Sequence, residues 1–77
     1  MSSNEIQTER SMIIFVNGQE TQISNGHTAH DLLIDLGFET RPVAVEVNKE
    51  VIPRALLPSR VLCEHDQIEV VTLVGGG

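Results

Sequence analysis

The sequence predicts an α+β domain, a small mixed sheet with one main helix packed on one face. Short β-favouring runs recur at 12–16, 21–23, 43–47, 51–52 and 68–74. Asn-Gly pairs punctuate the first part of the chain, and a single stretch, 29–36, carries leucines at helical spacing.

Met12-Ile13-Ile14-Phe15-Val16 reads as a strand, Asn17-Gly18 is the strongest short-range signal for a type I′ turn, and Thr21-Gln22-Ile23 returns beside it as a hairpin. Asn25-Gly26 marks a second turn. Thr28-Ala29-His30-Asp31 then has the Thr-x-x-acid form of a helix start, in which the hydroxyl accepts an early backbone N–H and the carboxylate reaches back. Ala29, Leu32, Leu33 and Leu36 fall on one side and are expected to face the sheet, leaving His30, Asp31 and Asp35 outward. Gly37 supplies the stop, because it enters the left-handed region without a Cβ clash.

Val43 to Val47 forms the next strand, and Asn48-Lys49-Glu50 turns it into Val51-Ile52. Pro53 and Pro58 bracket a segment expected to be irregular or to hold a short turn around Ala55-Leu56-Leu57. Glu64-His65-Asp66 is a polar turn before the last strand, Ile68 to Val74, which is expected to lie beside the first. That strand is apolar on both faces near its end: Ile68, Val70 and Val74 form one set, Val71 and Leu73 the other. One set can meet the helix; the other is either a partner patch or ordinary surface under a loop. The organisation is therefore a flexible lead-in over 1–11, a folded domain over 12–74 and an extended tail over 75–77.

Composition narrows the functional classes. Eleven acidic against five basic residues give a formal charge of −6, which argues against nonspecific binding to nucleic acid or an anionic membrane. Residues 1–40 carry six acids and one base, and 41–77 five acids and four bases. A single cysteine, Cys63, rules out an intrachain disulfide, and no run is long enough to span a membrane. The polar start, Ser2 to Glu9, lacks the apolar stretch of a signal peptide, so a cytoplasmic protein is expected.

The tail is the most informative feature. Gly75-Gly76-Gly77 follows directly on a strong strand and has no side chains to place in a core. Extended, the three residues reach about 10 Å, enough to carry a terminal carboxylate into another protein. Without Cβ atoms the backbone can thread a narrow channel and bond through its main chain. A carboxylate transferred to a nucleotide α-phosphate becomes a mixed anhydride open to attack by sulfur, giving a thiocarboxylate without any base, metal or cysteine from the carrier. The competing reading is a frayed end or an appended remnant.

From Met12 to Gly77 the chain resembles the ThiS family of ubiquitin-like sulfur carriers of thiamine biosynthesis. The resemblance rests on Ile13-Ile14-Phe15-Val16-Asn17-Gly18, Thr28-Ala29-His30-Asp31-Leu32-Leu33, Val43-Ala44-Val45-Glu46-Val47-Asn48-Lys49-Glu50, Val51-Ile52-Pro53-Arg54 and Asp66-Gln67-Ile68-Glu69-Val70-Val71. Their order, spacing and glycine terminus carry it together. It implies a β-grasp fold and a carrier, not an enzyme. Gly77 would be adenylated by a ThiF-type enzyme at the expense of ATP, loaded by a sulfur-donating enzyme, and used by a ThiG-type thiazole synthase; the carrier itself would bind no cofactor. Gly76 matches the family's penultimate glycine, and Gly75 stands where the family varies. His65-Asp66 departs from the usual Gly-Asp, which puts the turn geometry in question.

Other residues carry weaker signals. His27, His30 and His65 are badly spaced for a shared metal site, so no metal is expected. Cys63, beside Leu62, reads as a small buried or half-buried thiol and not a nucleophile. Arg54 and Arg60 flank Ala55-Leu56-Leu57-Pro58-Ser59 and read either as solvated charges or as contacts for an acidic partner. The nearest rival function is a MoaD-like carrier of molybdopterin synthesis, against which Val51-Ile52-Pro53-Arg54 and the proline-free approach to the tail weigh. A ubiquitin-like conjugation or binding module is the rival from another class.

Overall fold

The computed structural model describes residues 11–73; the lead-in through Arg10, the tail glycines Gly75, Gly76 and Gly77, and Val74 lie outside the described residues. In chain order the elements are β1 (Ser11–Val16), β2 (Gln19–Ser24), α1 (Ala29–Leu36), β3 (Val43–Val47), β4 (Glu50–Val51), a 3₁₀ turn (Arg54–Ser59) and β5 (Gln67–Thr72). The sheet order is β2-β1-β5-β3-β4. The last strand lies at the centre, parallel to β1 and antiparallel to β3. This is the β-grasp arrangement, a mixed sheet with one main helix on one face.

The β1–β2 hairpin closes through Asn17 and Gly18, both at positive φ (51° and 81°), as a type I′ turn requires. The β3–β4 hairpin closes the same way on Asn48 and Lys49, at φ 52° and 71°, so the turn is two residues long and Glu50 already pairs with Val47. β1 likewise starts one residue before the expected Met12, with Ser11 opposite Ser24.

α1 carries the expected capping box. The Thr28 hydroxyl accepts from the Asp31 N–H at 3.1 Å, and the Asp31 carboxylate accepts from the Thr28 N–H at 3.0 Å. At the other end Gly37, at φ 82°, donates to Ile34, and the Phe38 N–H donates to Leu33 at 2.9 Å. This Schellman closure corrects one expectation. Ala29, Leu32 and Leu33 are buried, but Leu36 is 39% exposed, because the chain reverses at Gly37 and brings Phe38 back against the core in its place.

Pro53–Ser59 is more regular than expected. Six residues form a 3₁₀ turn that tolerates Pro58 and buries Leu57, and the Ser59 hydroxyl bonds back to the Leu56 carbonyl at 3.1 Å. Met12, Ile14 and Val16 from β1, Val43, Val45 and Val47 from β3, and Ile68 and Val70 from β5 form the sheet side of the core. Leu32 and Leu33 cover it from above.

Candidate functional site: the exit of the last strand

β5 is the strand from which the tail departs, and its position is fixed from both sides. On the β1 side the backbone bonds run His65 N–H to Ile13, Phe15 N–H to Asp66 and Asn17 N–H to Ile68, at 2.7, 2.9 and 2.8 Å. The Asn17 side chain then continues the ladder beyond the end of β1. Its Oδ1 accepts from the Val70 N–H at 2.9 Å, and its Nδ2 donates to the Val70 carbonyl at 3.3 Å.

On the β3 side Asn48 plays a matching part at the start of the strand. Its N–H donates to the Gln67 carbonyl at 2.7 Å and its Oδ1 accepts from the Gln67 N–H at 2.9 Å. Its Nδ2 donates to Asp66 Oδ1 at 2.9 Å, while Asp66 Oδ2 accepts from the Cys63 N–H at 2.8 Å. Asp66 is the one buried charged residue among those described, and both its oxygens are engaged. Sequence reading took Asn17 and Asn48 as turn formers only. The available signal was the choice of asparagine, which offers a donor and an acceptor, at the same place in both hairpins.

At its far end β5 pairs Val71 with Ala44 and Thr72 with Val43, and the Leu73 N–H donates to the Pro42 carbonyl at 2.9 Å. The 38–42 loop beneath this exit carries two guanidinium contacts. Arg54 Nη2 donates to the Glu39 carbonyl at 3.3 Å, and Arg41 lies 5.7 Å from the Phe38 ring centre. The alternation of β5 sends Ile68 and Val70 into the core and leaves Val71 56% and Leu73 51% exposed. Val51 stands on the same open face, since it pairs with Glu46, which pairs in turn with Glu69. Val71 and Leu73, singled out from the sequence as a partner patch, are therefore solvent-facing at the root of the tail.

Two other sequence readings change. Cys63 is exposed, not buried: Leu62 takes the inward position, and the Cys63 side chain falls outside it. His65 adopts φ 68°, the left-handed conformation that suits the glycine commonly found there. The imidazole stacks on Phe15 with ring centres 6.3 Å apart. The three histidines do not converge. His27 Nε2 meets Asp35 Oδ2 at 2.7 Å, His65 lies 3.4 Å from Glu64, and no group of three His, Cys, Asp or Glu residues suited to a metal ion occurs among the described residues.

A model of the ThiS family matches residues 6–77, nearly the whole chain. The chain belongs to the ThiS family. Its relatives include the sulfur carrier protein ThiS of Escherichia coli, 30% identical over 86% of this chain and the whole of that protein. The ThiS of Bacillus subtilis is 44% identical over 65% of this chain and 76% of its own length. A thiazole synthase of Magnetococcus marinus is 47% identical over 86% of this chain, but the chain spans only 20% of that protein. Among solved structures, a ThiS protein of Geobacter metallireducens superposes with a TM-score of 0.71 at 28% identity, covering 86% of this chain and all of that one. Membership in the ThiS family accords with the β-grasp topology and its central last strand.

Proposed function

We propose that this protein is a sulfur carrier for thiazole formation in thiamine biosynthesis, acted on by an adenylating enzyme and not itself catalytic. The observation that carries the reading is the family match, which runs through residue 77 and so takes in the glycine tail. In the proposed cycle the Gly77 carboxylate attacks the α-phosphorus of ATP and pyrophosphate leaves. The outer sulfur of a persulfide on a donor enzyme then attacks the acyl carbon and AMP leaves. A second thiol of the donor attacks the donor-side sulfur of the resulting acyl disulfide, so that the donor is left with a disulfide and Gly77 with a thiocarboxylate. Transfer of that sulfur to a ThiG-type thiazole synthase returns the carboxylate. The thiazole synthases among the relatives support this destination over molybdopterin synthesis.

The described geometry suits such a cycle. Beyond Leu73 the remaining four residues would reach roughly 13 Å when extended. A ThiF-type partner would then hold the body by the Val71 and Leu73 face while Gly75 and Gly76 thread toward the nucleotide. The test is pyrophosphate exchange with the purified adenylating enzyme, followed by intact mass after addition of the sulfur donor. The expected result is exchange followed by the mass increase of one oxygen-to-sulfur substitution. Deleting Gly77 retracts the carboxylate by about 3.3–3.6 Å. Since a misplacement of about 1 Å can cost on the order of a hundredfold, exchange should collapse. Gly76→Ala should also impair exchange while leaving the fold intact. If both variants exchange and gain sulfur like the parent, the threaded-terminus mechanism fails; if the parent neither exchanges nor gains sulfur, the carrier reading fails, and a mass increase by a whole target protein would instead establish conjugation.

A further inference from the structure

A cleft of about 240 Å³ lies between β4 and the 3₁₀ turn, with Val51, Ile52 and Pro53 on one wall and Leu56, Ser59 and Arg60 on the other. Its lips are apolar, since Val51 is 62% and Leu56 53% exposed. β4 ends the sheet order, so its outer edge is unpaired in the sheet.

Arg60 is the unusual member. Its main chain is fully used: the N–H donates to Leu57, and the carbonyl accepts from Ala29 at the start of α1. Its side chain makes no hydrogen bond or ion pair among the described residues, and Nε is shut off from water with no acceptor. A buried donor without a partner costs stability, and an acceptor brought from outside the fold would relieve that cost. Arg54, at the other end of the same turn, has the Glu39 carbonyl. Glu50 also borders the cleft but forms no ion pair with Arg60. A guanidinium stays charged and presents a planar fork that matches a carboxylate.

We propose that this cleft is a docking notch for a partner protein. It takes an aspartate or glutamate side chain of that partner onto the Arg60 guanidinium, with a neighbouring apolar side chain resting on Val51 and Leu56. A single carboxylate with an apolar neighbour fits the lining better than a multiply charged anion, which Glu50 and the net charge of −6 would repel. Binding requires Arg60 to swing Nε out of the wall. The notch is lined by β4, the 3₁₀ turn and the residues adjoining them and, among the described residues, includes none from β5.

The experiment titrates the full ¹⁵N-labelled chain with the peptide acetyl-Leu-Glu-Leu-amide and with its Gln counterpart, following the Arg60 Nε–Hε resonance and the Val51 and Leu56 amides. The Glu peptide should move all three together, and the Gln peptide should bind at least about tenfold more weakly, the loss of one charge-assisted contact. Glu50→Gln should tighten the response. Arg60→Met, which keeps the apolar stem, should abolish it while leaving the unfolding temperature unchanged or raised. The proposal is overturned if Nε–Hε does not respond, if the two peptides act alike, or if Arg60→Met lowers the unfolding temperature, because the guanidinium would then be serving the fold.

Discussion

Ile68 and Val70 on one face of β5 are closed over by the helix, whereas Val71 and Leu73, of the same chemistry, stand half open on the other. The two pairs follow one another along β5 and the residue just after it, and nothing in residue type separates them. What separates them is the pleat: a period of two sends alternate residues to a covered face and an open one. In a small domain with one helix, only one sheet face receives a lid, and apolar residues on the other are free to serve contacts. Stability is expected from the covered face and, under the proposed function, contact with a partner from the open one, a division that unequal responses to substitution would test.

The largest effect belongs to the covered face. Leu33, 2% exposed, also accepts the Phe38 N–H in the helix closure, but through its backbone, which alanine retains. Leu33→Ala should therefore cost mainly packing, about 2–5 kcal/mol in denaturant unfolding. That is a large fraction of the stability of a domain this small. The same change at the half-exposed Leu36 should cost much less. Equal losses would mean that Phe38 does not replace Leu36 in the core.

Next in size is the side-chain ladder that pins β5. Asn17→Ala strands the Val70 N–H and carbonyl and places an alanine at φ 51°, so it should cost roughly 1–3 kcal/mol. Asn17→Gly removes the same two hydrogen bonds without the left-handed penalty and should fall between parent and alanine. If glycine matches the parent, the ladder contributes nothing and only turn conformation matters.

These two sites also mark how far the sequence was legible. The first hairpin, the capping box and the Gly37 stop rest on residues within a few positions of one another, and each formed as its local chemistry required. The placement of β5 beside β1 followed from element order, whereas its position at the centre of the sheet emerged only in the structure. Asn17 and Asn48 were missed because their side-chain partners are remote; Leu36 was misread because the Gly37 closure puts Phe38 in its place, and Cys63 because nothing local showed that Leu62 would take the inward position. The Val70 groups that Asn17 completes lie 53 residues away, and no local pattern announces them. At the site, the open face of Val71 and Leu73 was visible as a two-sided apolar strand, while the orphan guanidinium of Arg60 required the packed structure.

A smaller effect tests the lid through its cap. The Thr28 N–H and hydroxyl, with lesser help from His27 and His30, hold the Asp31 carboxyl below its ordinary value of 3.8. A carboxyl lowered on folding contributes stability above its unfolded value and loses it as the pH falls through the folded one. Asp31→Asn should thus be less stable than the parent at pH 7, with the difference shrinking as the pH drops below about 4. A difference that stays constant from pH 7 to pH 2 would show that the carboxylate charge plays no part in the cap.

The smallest change in stability is expected on the open face, and there the comparison is sharpest. Val71→Ser and Leu73→Ser remove apolar surface that is more than half exposed, and the Val71–Ala44 register and the Leu73 N–H to Pro42 bond are backbone features that serine keeps. Each substitution should shift unfolding by no more than about 0.5 kcal/mol. If this face receives the adenylating enzyme, the same two changes should weaken equilibrium binding by at least about tenfold, since apolar anchors at the centre of an interface commonly carry more than 1 kcal/mol each. Paired titrations settle the assignment: the serine variants and the parent are bound to the purified enzyme without ATP, beside Glu20→Gln on the exposed outer strand β2 as a control that should change nothing. Unaltered binding by both serine variants would detach recognition from the open face. A large loss of stability in either would show that this face belongs to the core after all, and the division of β5 into a folding side and a contact side would fall with it.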